Sequence, residues 1–184
     1  MACKKLFVSD SCIQGIGLHT AEPIKAGEIV MLWNVGATII AESEYNTRQD
    51  LGDDLIKITG VRYVGDYFLH TDDKPRYENY INHSFNPNIL YHCGVCFALE
   101  DIDADAELTV DYTYLLSESD IMGFIDGKTK AQVRGLQHPM GLLNSCSKLQ
   151  KLLESTKNKK YDKAVLLDPH ISAVGSINSP SALT

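Results

Sequence analysis

Two short polar stretches constrain this 184-residue chain more than any other feature. The first, Asn82 to Asn88, reads Asn-His-Ser-Phe-Asn-Pro-Asn, and the second, Glu107 to Tyr114, reads Glu-Leu-Thr-Val-Asp-Tyr-Thr-Tyr. Asn, His and Ser offer different donors and acceptors at adjacent positions, and Pro87 presets φ in a turn. Strand-like apolar residues flank the first stretch, so the sequence predicts a rigid polar corner anchored in the core. A capped loop that bonds only its own backbone is the simpler interpretation.

The two stretches together resemble the paired signature of the SET-domain protein lysine methyltransferases. The family pattern has Asn-His-Ser, a variable pair and Pro-Asn, followed by Glu-Leu-Thr, a variable residue, Asp and Tyr; Asn82 to Asn88 and Glu107 to Tyr112 match both parts in order. A third match is Gly15-Ile16-Gly17, where the family places its cofactor loop. The resemblance covers residues 10 to 114, and the remainder of the chain matches poorly.

The resemblance implies a fold of the α+β class that is mostly β: the SET-domain fold of short curved sheets, in which the C-terminal segment threads a loop as a pseudoknot. Such threading is rare among proteins. We expect the SET domain at residues 1–120 and a C-terminal extension at 121–184. Leucines flanked by lysines predict an amphipathic helix at residues 141–157 of the extension, followed by a frayed tail.

The function that the resemblance implies is transfer of a methyl group from S-adenosylmethionine to a lysine side chain of a protein. The net charge is −7, but residues 1–127 hold 8 Lys/Arg against 21 Asp/Glu, whereas residues 128–184 hold 9 against 3. An acidic catalytic part would attract a basic substrate such as a histone or a ribosomal protein. The basic tail could contact nucleic acid, although a solvated surface explains its charge as well.

The cofactor residues follow from the same resemblance. It implies that the backbone of Gly15, Ile16 and Gly17 holds the methionine part of S-adenosylmethionine. It also implies that Asn82, through its side chain, and His83, through the surrounding backbone, bind the cofactor. Taken alone, a Gly-x-Gly is weak evidence, and without a following helix pattern it disfavours a dinucleotide-binding fingerprint.

Tyr112 is the predicted catalytic residue, because it matches the family's catalytic tyrosine and its hydroxyl can both donate and accept. A phenol with a pKa near 10 is a poor base at neutral pH, so we assign it orientation and electrostatics. Tyr91 is a second catalytic and channel candidate, since some members place a tyrosine there. Val110 stands where others carry Phe or Tyr. A hydroxyl that bonds the product amine restricts further methylation, and the sequence therefore predicts monomethylation.

Two further aromatic residues are candidates for the substrate-lysine channel. Trp33 falls near the position of a family channel tyrosine; its indole has a donor and no acceptor, and packing in the core is an equally good interpretation. Tyr67 belongs to a predicted hairpin, in which Gly65-Asp66 joins strands at residues 61–64 and 67–70. Residues 41–58 resemble the variable insert of the family, with a short surface helix.

No metal site is predicted. Cys93 and Cys96 have metal-like spacing, but no second pair exists to complete four ligands. Many SET-domain proteins carry a zinc-binding cysteine cluster after the catalytic tyrosine, and this chain does not. In that region Phe124 is a candidate for stacking on adenine, with core packing as the alternative.

Location and a second function class complete the expectations. The absence of a long apolar run and of a signal segment, together with five scattered cysteines, predicts an intracellular protein without a membrane span. It would be cytoplasmic, or nuclear if it acts on chromatin. The alternative function is a catalytically weak SET module that binds peptide or nucleic acid, which Trp33 and the missing cysteines favour.

Overall fold

The structure is a computed structural model of the chain, and it describes only part of it. The described residues are 1–33, 35–36, 38–41, 43–44, 47, 61–63, 66–69, 76–116, 118, 121–137 and 139–160, with the backbone alone for 61–63, 66–69 and 157–160. The strands are β1 Leu6–Asp10, β2 Ile16–Thr20, β3 Ile29–Leu32, β4 Thr38–Ile40, β5 Val61–Tyr63, β6 Asp66–Leu69, β7 Asn82–His83, β8 Ile89–His92, β9 Val95–Ala98, β10 Thr109–Val110, β11 Ile121–Ile125 and β12 Gln132–Arg134. The helices are the 3-10 helices Tyr77–Tyr80 and Tyr112–Tyr114 and the α-helix α1 Met140–Lys160.

Within the described ranges these strands form small sheets rather than one large one. Antiparallel pairs join β1 to β2 and β11 to β12, and antiparallel sheets have the orders β3-β9-β8 and β4-β6-β5. The pair β7 and β10 runs parallel. In the part of the chain that the structure describes, one long α-helix accompanies many short strands, which confirms the predicted fold, α+β and mostly β. The threading of the C-terminal segment through a loop stays a prediction.

The core is built around the β3-β9-β8 sheet. Its buried apolar cluster draws on these strands, on the residues that flank the first polar stretch and on the second stretch, with Val30, Ile89, Cys96, Leu108 and Val110 all completely buried. Because strand residues alternate between faces, β9 buries Cys96 and Ala98 and leaves its other positions half-buried. The first polar stretch is thus anchored in the apolar core through Ile81 and Ile89 on either side of it, as predicted.

Helix α1 covers the outer strand of that sheet and packs against β8 and the 3-10 helix Tyr112–Tyr114. Ser145 bonds His92 at 2.9 Å, and the Lys148 ammonium lies 5.0 Å from the ring centre of Tyr114. Leu152 is 5% exposed, whereas the next residue, Leu153, is 50% exposed. The predicted helix is confirmed and extends slightly beyond both predicted ends. In the described part of the chain, no helix is both long and apolar enough to cross a membrane.

The predicted hairpin is confirmed, with strands at Val61–Tyr63 and Asp66–Leu69. The composition of residues 9–17, with glycines at 15 and 17, predicts a loop from Ser9 to Gly17, but this is wrong at both ends, because β1 continues to Asp10 and β2 begins at Ile16. Backbone pairing of these strands, from Leu6 with Thr20 to Asp10 with Ile16, overrides the loop-forming composition. The helix predicted at residues 41–58 lies almost entirely outside the described residues.

Candidate active site

The parallel pair β7 and β10 joins the two polar stretches. Asn82 lies opposite Thr109 and His83 opposite Val110. The Ser84 N–H donates to the Val110 carbonyl at 3.1 Å and continues the pairing by one bond. Because each strand has only two residues, this backbone pairing needs support from side chains.

The Asn88 side chain supplies that support. Its amide nitrogen donates to the Glu107 carbonyl at 2.8 Å, and its amide oxygen accepts the Thr109 N–H at 2.8 Å. A primary amide carries a donor and an acceptor in one plane, so it can pair with a strand as a neighbouring backbone would. The Pro-Asn end of the first stretch is thereby fixed to the Glu-Leu-Thr start of the second.

Tyr112 is held at both ends, by His83 of the first stretch and by Ile81 just before it. Its backbone N–H donates to Nδ1 of His83 at 3.1 Å, and its hydroxyl donates to the Ile81 carbonyl at 2.6 Å. Asp111 caps the 3-10 helix that begins at Tyr112 by accepting the Thr113 N–H at 3.0 Å. Burial raises the pKa of the Tyr112 phenol, so the hydroxyl stays protonated and keeps its lone pairs for a ligand.

His83 lies between this tyrosine and the β11-β12 hairpin. Its ring contacts Phe85 edge-on at 4.5 Å between centroids, Tyr112 at 5.3 Å and Phe124 at 6.4 Å. Phe124 also meets Tyr112 edge-on at 6.3 Å, so this predicted adenine-stacking residue lies beside the other predicted cofactor residues. Burial lowers the pKa of His83, although the charges of Asp111 and Asp126 and the Val110 carbonyl oppose the shift. The ring is therefore neutral at neutral pH.

The Asn82 side chain faces the loop between β1 and β2. Its amide nitrogen lies 3.0 Å from Ser11 Oγ, 3.2 Å from the Gln14 carbonyl, 3.3 Å from the Ile16 carbonyl and 2.8 Å from Glu107 Oε1. Four acceptors surround one nitrogen that carries two protons. A nitrogen with more protons, such as an ammonium, would satisfy this cluster more fully.

Glu107 is the residue of this cluster that the sequence analysis missed. Its Oε1 accepts from Ser11 Oγ at 2.7 Å as well as from Asn82, and its Oε2 lies 3.5 Å from Cys12 Sγ. The side chain lies across Gly17, where an added Cβ would be 2.5 Å from Oε1. The sequence did contain a signal for a role of Glu107, because this residue is the first of the second stretch.

Three of the four channel candidates, Trp33, Tyr91 and Val110, belong to the apolar cluster against which Tyr112 packs. Trp33 meets Tyr91 edge-on, with 5.3 Å between ring centroids, and Val110 belongs to the same buried cluster, against which Tyr112 packs. Trp33 is 7% exposed and therefore lies in the core, which leaves its channel role a prediction. The Tyr67 side chain lies outside the described residues.

Metal ligands do not converge in the described part of the chain, where no group of three His, Cys, Asp or Glu residues could hold an ion. Cys96 is completely buried, and burial raises the pKa of its thiol strongly, so it behaves as a small apolar residue. The β11-β12 hairpin lies in the region where many SET-domain proteins carry the zinc-binding cysteines that this chain lacks.

The residues present fit the amino-acid part of S-adenosylmethionine. The carbonyls of Gln14 and Ile16 and the carboxylate of Glu107 are acceptors suited to an ammonium, and in this structure the Asn82 amide nitrogen contacts all three. Gly15 has a φ of +55°, and an added Cβ there would meet no atom within 4 Å, so the loop leaves open space at this residue. Asn82 contacts this loop through the carbonyls of Gln14 and Ile16, and its neighbour His83 contacts Tyr112 and Phe124.

Comparison with known proteins identifies one matching family. A family model described as SET domain matches residues 15–113, which is more than half of the chain. The match begins at the first glycine of the loop and ends one residue after Tyr112. No curated protein matches the chain.

Proposed function

The chain belongs to the SET-domain family, and we propose that it transfers a methyl group from S-adenosylmethionine to a lysine side chain of a protein. SET domains are typically protein-lysine methyltransferases that use this cofactor. The observation that carries the proposal is the placement of Tyr112, whose two ends are bonded to His83 of the first stretch and to Ile81, the residue before that stretch.

The reaction requires a neutral amine aligned with the methyl group. S-adenosylmethionine supplies that methyl group on a sulfonium. A free lysine has a pKa of about 10.4 and is almost fully protonated at neutral pH. The apolar cluster of Trp33, Tyr91 and Val110 would desolvate the amine and disfavour its charged form. Holding the neutral amine in line then contributes effective concentration.

Tyr112 acts in this proposal by orientation. Its hydroxyl proton is committed to the Ile81 carbonyl, and burial raises the pKa of the phenol, so the group does not serve as a base. The oxygen lone pairs remain to accept a hydrogen bond from the substrate amine and to stabilise positive charge near the methyl group. The amine proton leaves to water.

Monomethylation is the proposed extent of reaction. Tyr91 is buried beside Val110 in the apolar cluster, and its hydroxyl would bond a product amine and hinder rotation into position for a second transfer. Mass spectra of the product should show one added methyl group. Product dominated by trimethyl-lysine would remove this part of the proposal.

A basic protein is the proposed substrate. The excess of acidic residues in residues 1–127 would raise the local concentration of a lysine-rich chain. Because such attraction is screened by salt, the apparent KM should rise with ionic strength. An unchanged KM between low and high salt would argue against electrostatic selection.

Incubation with tritium-labelled S-adenosylmethionine and cell extract tests the proposal, with identification of any labelled band. We expect label on lysine of a basic protein. Calorimetry tests the competing possibility of a catalytically weak module. Cofactor that fails to bind, or that binds while no lysine-rich protein is labelled, would overturn the enzyme assignment in favour of that module.

A further inference from the structure

We propose that Asp126 is a positioning residue that fixes the ring of His83 in the tautomer able to hold the Tyr112 backbone. The inference rests on the proposed function for its effect on rate, but its structural part concerns three residues of this chain alone. It gives the β11-β12 hairpin a role in the site, although the hairpin lies outside the matched family region of residues 15–113.

The Asp126 carboxylate is buried between the β11-β12 hairpin and the first polar stretch, with 4% of the residue exposed. On the hairpin side, its Oδ1 accepts the Lys128 N–H at 3.1 Å, the Thr129 N–H at 2.5 Å and the Thr129 hydroxyl at 2.7 Å. The Phe85 backbone also stabilises the charged form. These bonds, led by the Thr129 N–H, hold the pKa of Asp126 below its usual value although burial opposes them. The carboxylate is therefore ionised at neutral pH.

The other oxygen of this carboxylate faces His83. Oδ2 lies 3.8 Å from Nε2 of the histidine, whose side chain is 2% exposed. Nε2 has no hydrogen-bond partner among the described residues. A buried ring nitrogen that faces a carboxylate is stabilised when it carries the proton.

The opposite ring nitrogen must then be an acceptor. Nδ1 receives the Tyr112 N–H at 3.1 Å, which requires a lone pair on Nδ1 and so places the proton of the neutral ring on Nε2. The Val110 carbonyl also favours a protonated His83 ring, so it competes with Asp126 for the ring proton. The charge of Asp126 decides the competition, because it attracts the proton to the nitrogen that does not hold Tyr112.

The charged groups that face His83 are Asp126 on the hairpin and Asp111 before the 3-10 helix. Asp111 is committed to capping that helix through Thr113. Its charge opposes the lowering of the His83 pKa more than that of Asp126 does, but it is the Asp126 carboxylate that lies 3.8 Å from Nε2. Loss of the Asp126 charge should therefore lower the pKa of His83 further and allow the Nδ1–H tautomer, in which Nδ1 no longer accepts the Tyr112 N–H.

Nitrogen NMR of protein labelled in its histidines tests the arrangement directly. In the unaltered chain, we expect the His83 signals of a neutral ring with the proton on Nε2; the signal is assigned by its disappearance in His83→Asn. The Asp126→Asn variant keeps an acceptor for the hairpin turn and removes the charge. Its His83 should titrate at lower pH and show a measurable fraction of the Nδ1–H tautomer. A proton on Nδ1 in the unaltered chain would overturn the inference, whether or not the variant folds.

Kinetics test the effect on Tyr112. Asp126→Asn should lower kcat by about tenfold through misplacement of Tyr112, with the dissociation constant of S-adenosylmethionine changed less than about threefold. Asp101→Asn is the matched control, because that carboxylate also caps a turn, accepting the Ala26 N–H at 2.9 Å. It should leave kcat unchanged.

The outcomes separate the two proposals. A lowered kcat with unchanged His83 signals would assign Asp126 a purely structural role and overturn the inference, as would an unchanged kcat. An unaltered chain that shows the expected signals but transfers no methyl group to any protein would refute the proposed function. It would leave the pairing of Asp126 with His83 standing.

Discussion

The matched family region and the C-terminal segment contribute to one site but are held in place differently. In the matched region, short strands are joined by polar side chains that take the place of backbone partners, as Asn88 does between Glu107 and Thr109. In the C-terminal segment, a hairpin closed by Asp126 and a helix packed through Leu152 hold the chain by turn capping and apolar burial. The first kind of construction depends on residue identity at each position, whereas the second tolerates many sequences with the same pattern. The comparison therefore predicts which substitutions should lower kcat and which should lower the free energy of unfolding.

Tyr112→Phe should produce the largest effect. It removes the hydroxyl that donates to the Ile81 carbonyl at 2.6 Å and leaves the ring in place. Removal of one preorganised hydrogen-bond donor from the active sites of other enzymes lowers kcat about 10²- to 10³-fold, and we expect a fall of the same size here. Calorimetry should show that S-adenosylmethionine still binds. Tyr114→Phe is the control, because it keeps the ring that contacts Lys148 and should retain activity. Full activity of Tyr112→Phe would remove its catalytic role.

Leu152→Ala tests whether the C-terminal helix is part of the folded unit. The residue is 5% exposed, so truncation should lower the free energy of unfolding by about 2 to 4 kcal/mol in urea denaturation. Leu153→Ala, at a position that is 50% exposed, should change it by less than about 0.5 kcal/mol. Equal effects of the two substitutions would show that α1 does not dock as the structure has it.

Gly17→Ala tests the close contact in the matched region. The new Cβ would lie 2.5 Å from Glu107 Oε1, a carboxylate held by Ser11 and Asn82, so we expect a loss of about 1 to 3 kcal/mol of unfolding free energy. Gly123→Ala in β11 is the matched control, because its Cβ would meet no atom within 4 Å. Adding Glu107→Ala should recover part of the Gly17→Ala loss in a double-mutant cycle. Strict additivity would contradict the contact.

The smallest expected effect is on the pH dependence of stability. Burial lowers the pKa of both His83 and His92 below 6.5. Below that pH the unfolded chain binds protons that the folded chain does not, so the free energy of unfolding should fall as pH is lowered through 6.5 toward the folded pKa values. Urea unfolding between about pH 7.5 and about pH 5.5 measures this slope. His92→Gln should reduce the slope, and stability that rises toward acid pH would contradict the assignment.

Features that local sequence determines could be predicted, whereas features that depend on contacts between distant segments could not. The polar corner, its pairing with the second stretch and the long helix were all predictable, because motif residues and helical periodicity carry local information. The role of Asp126 was not, because it depends on a contact with His83 between segments 43 positions apart, and an aspartate before a glycine indicates only a turn. The burial of Trp33 against Tyr91 was left open for a related reason, since an aromatic residue at the end of a strand suits a core as well as a channel.

The missing side chain at Gly17 provides the space that the Glu107 carboxylate fills, although 90 positions of chain separate them. Selection can therefore not act on either position independently. Among related chains, we expect a larger residue at position 17 only where position 107 carries a shorter side chain. A return to the present pair should require changes at both positions. We therefore expect β2 and the second stretch to change together among related chains.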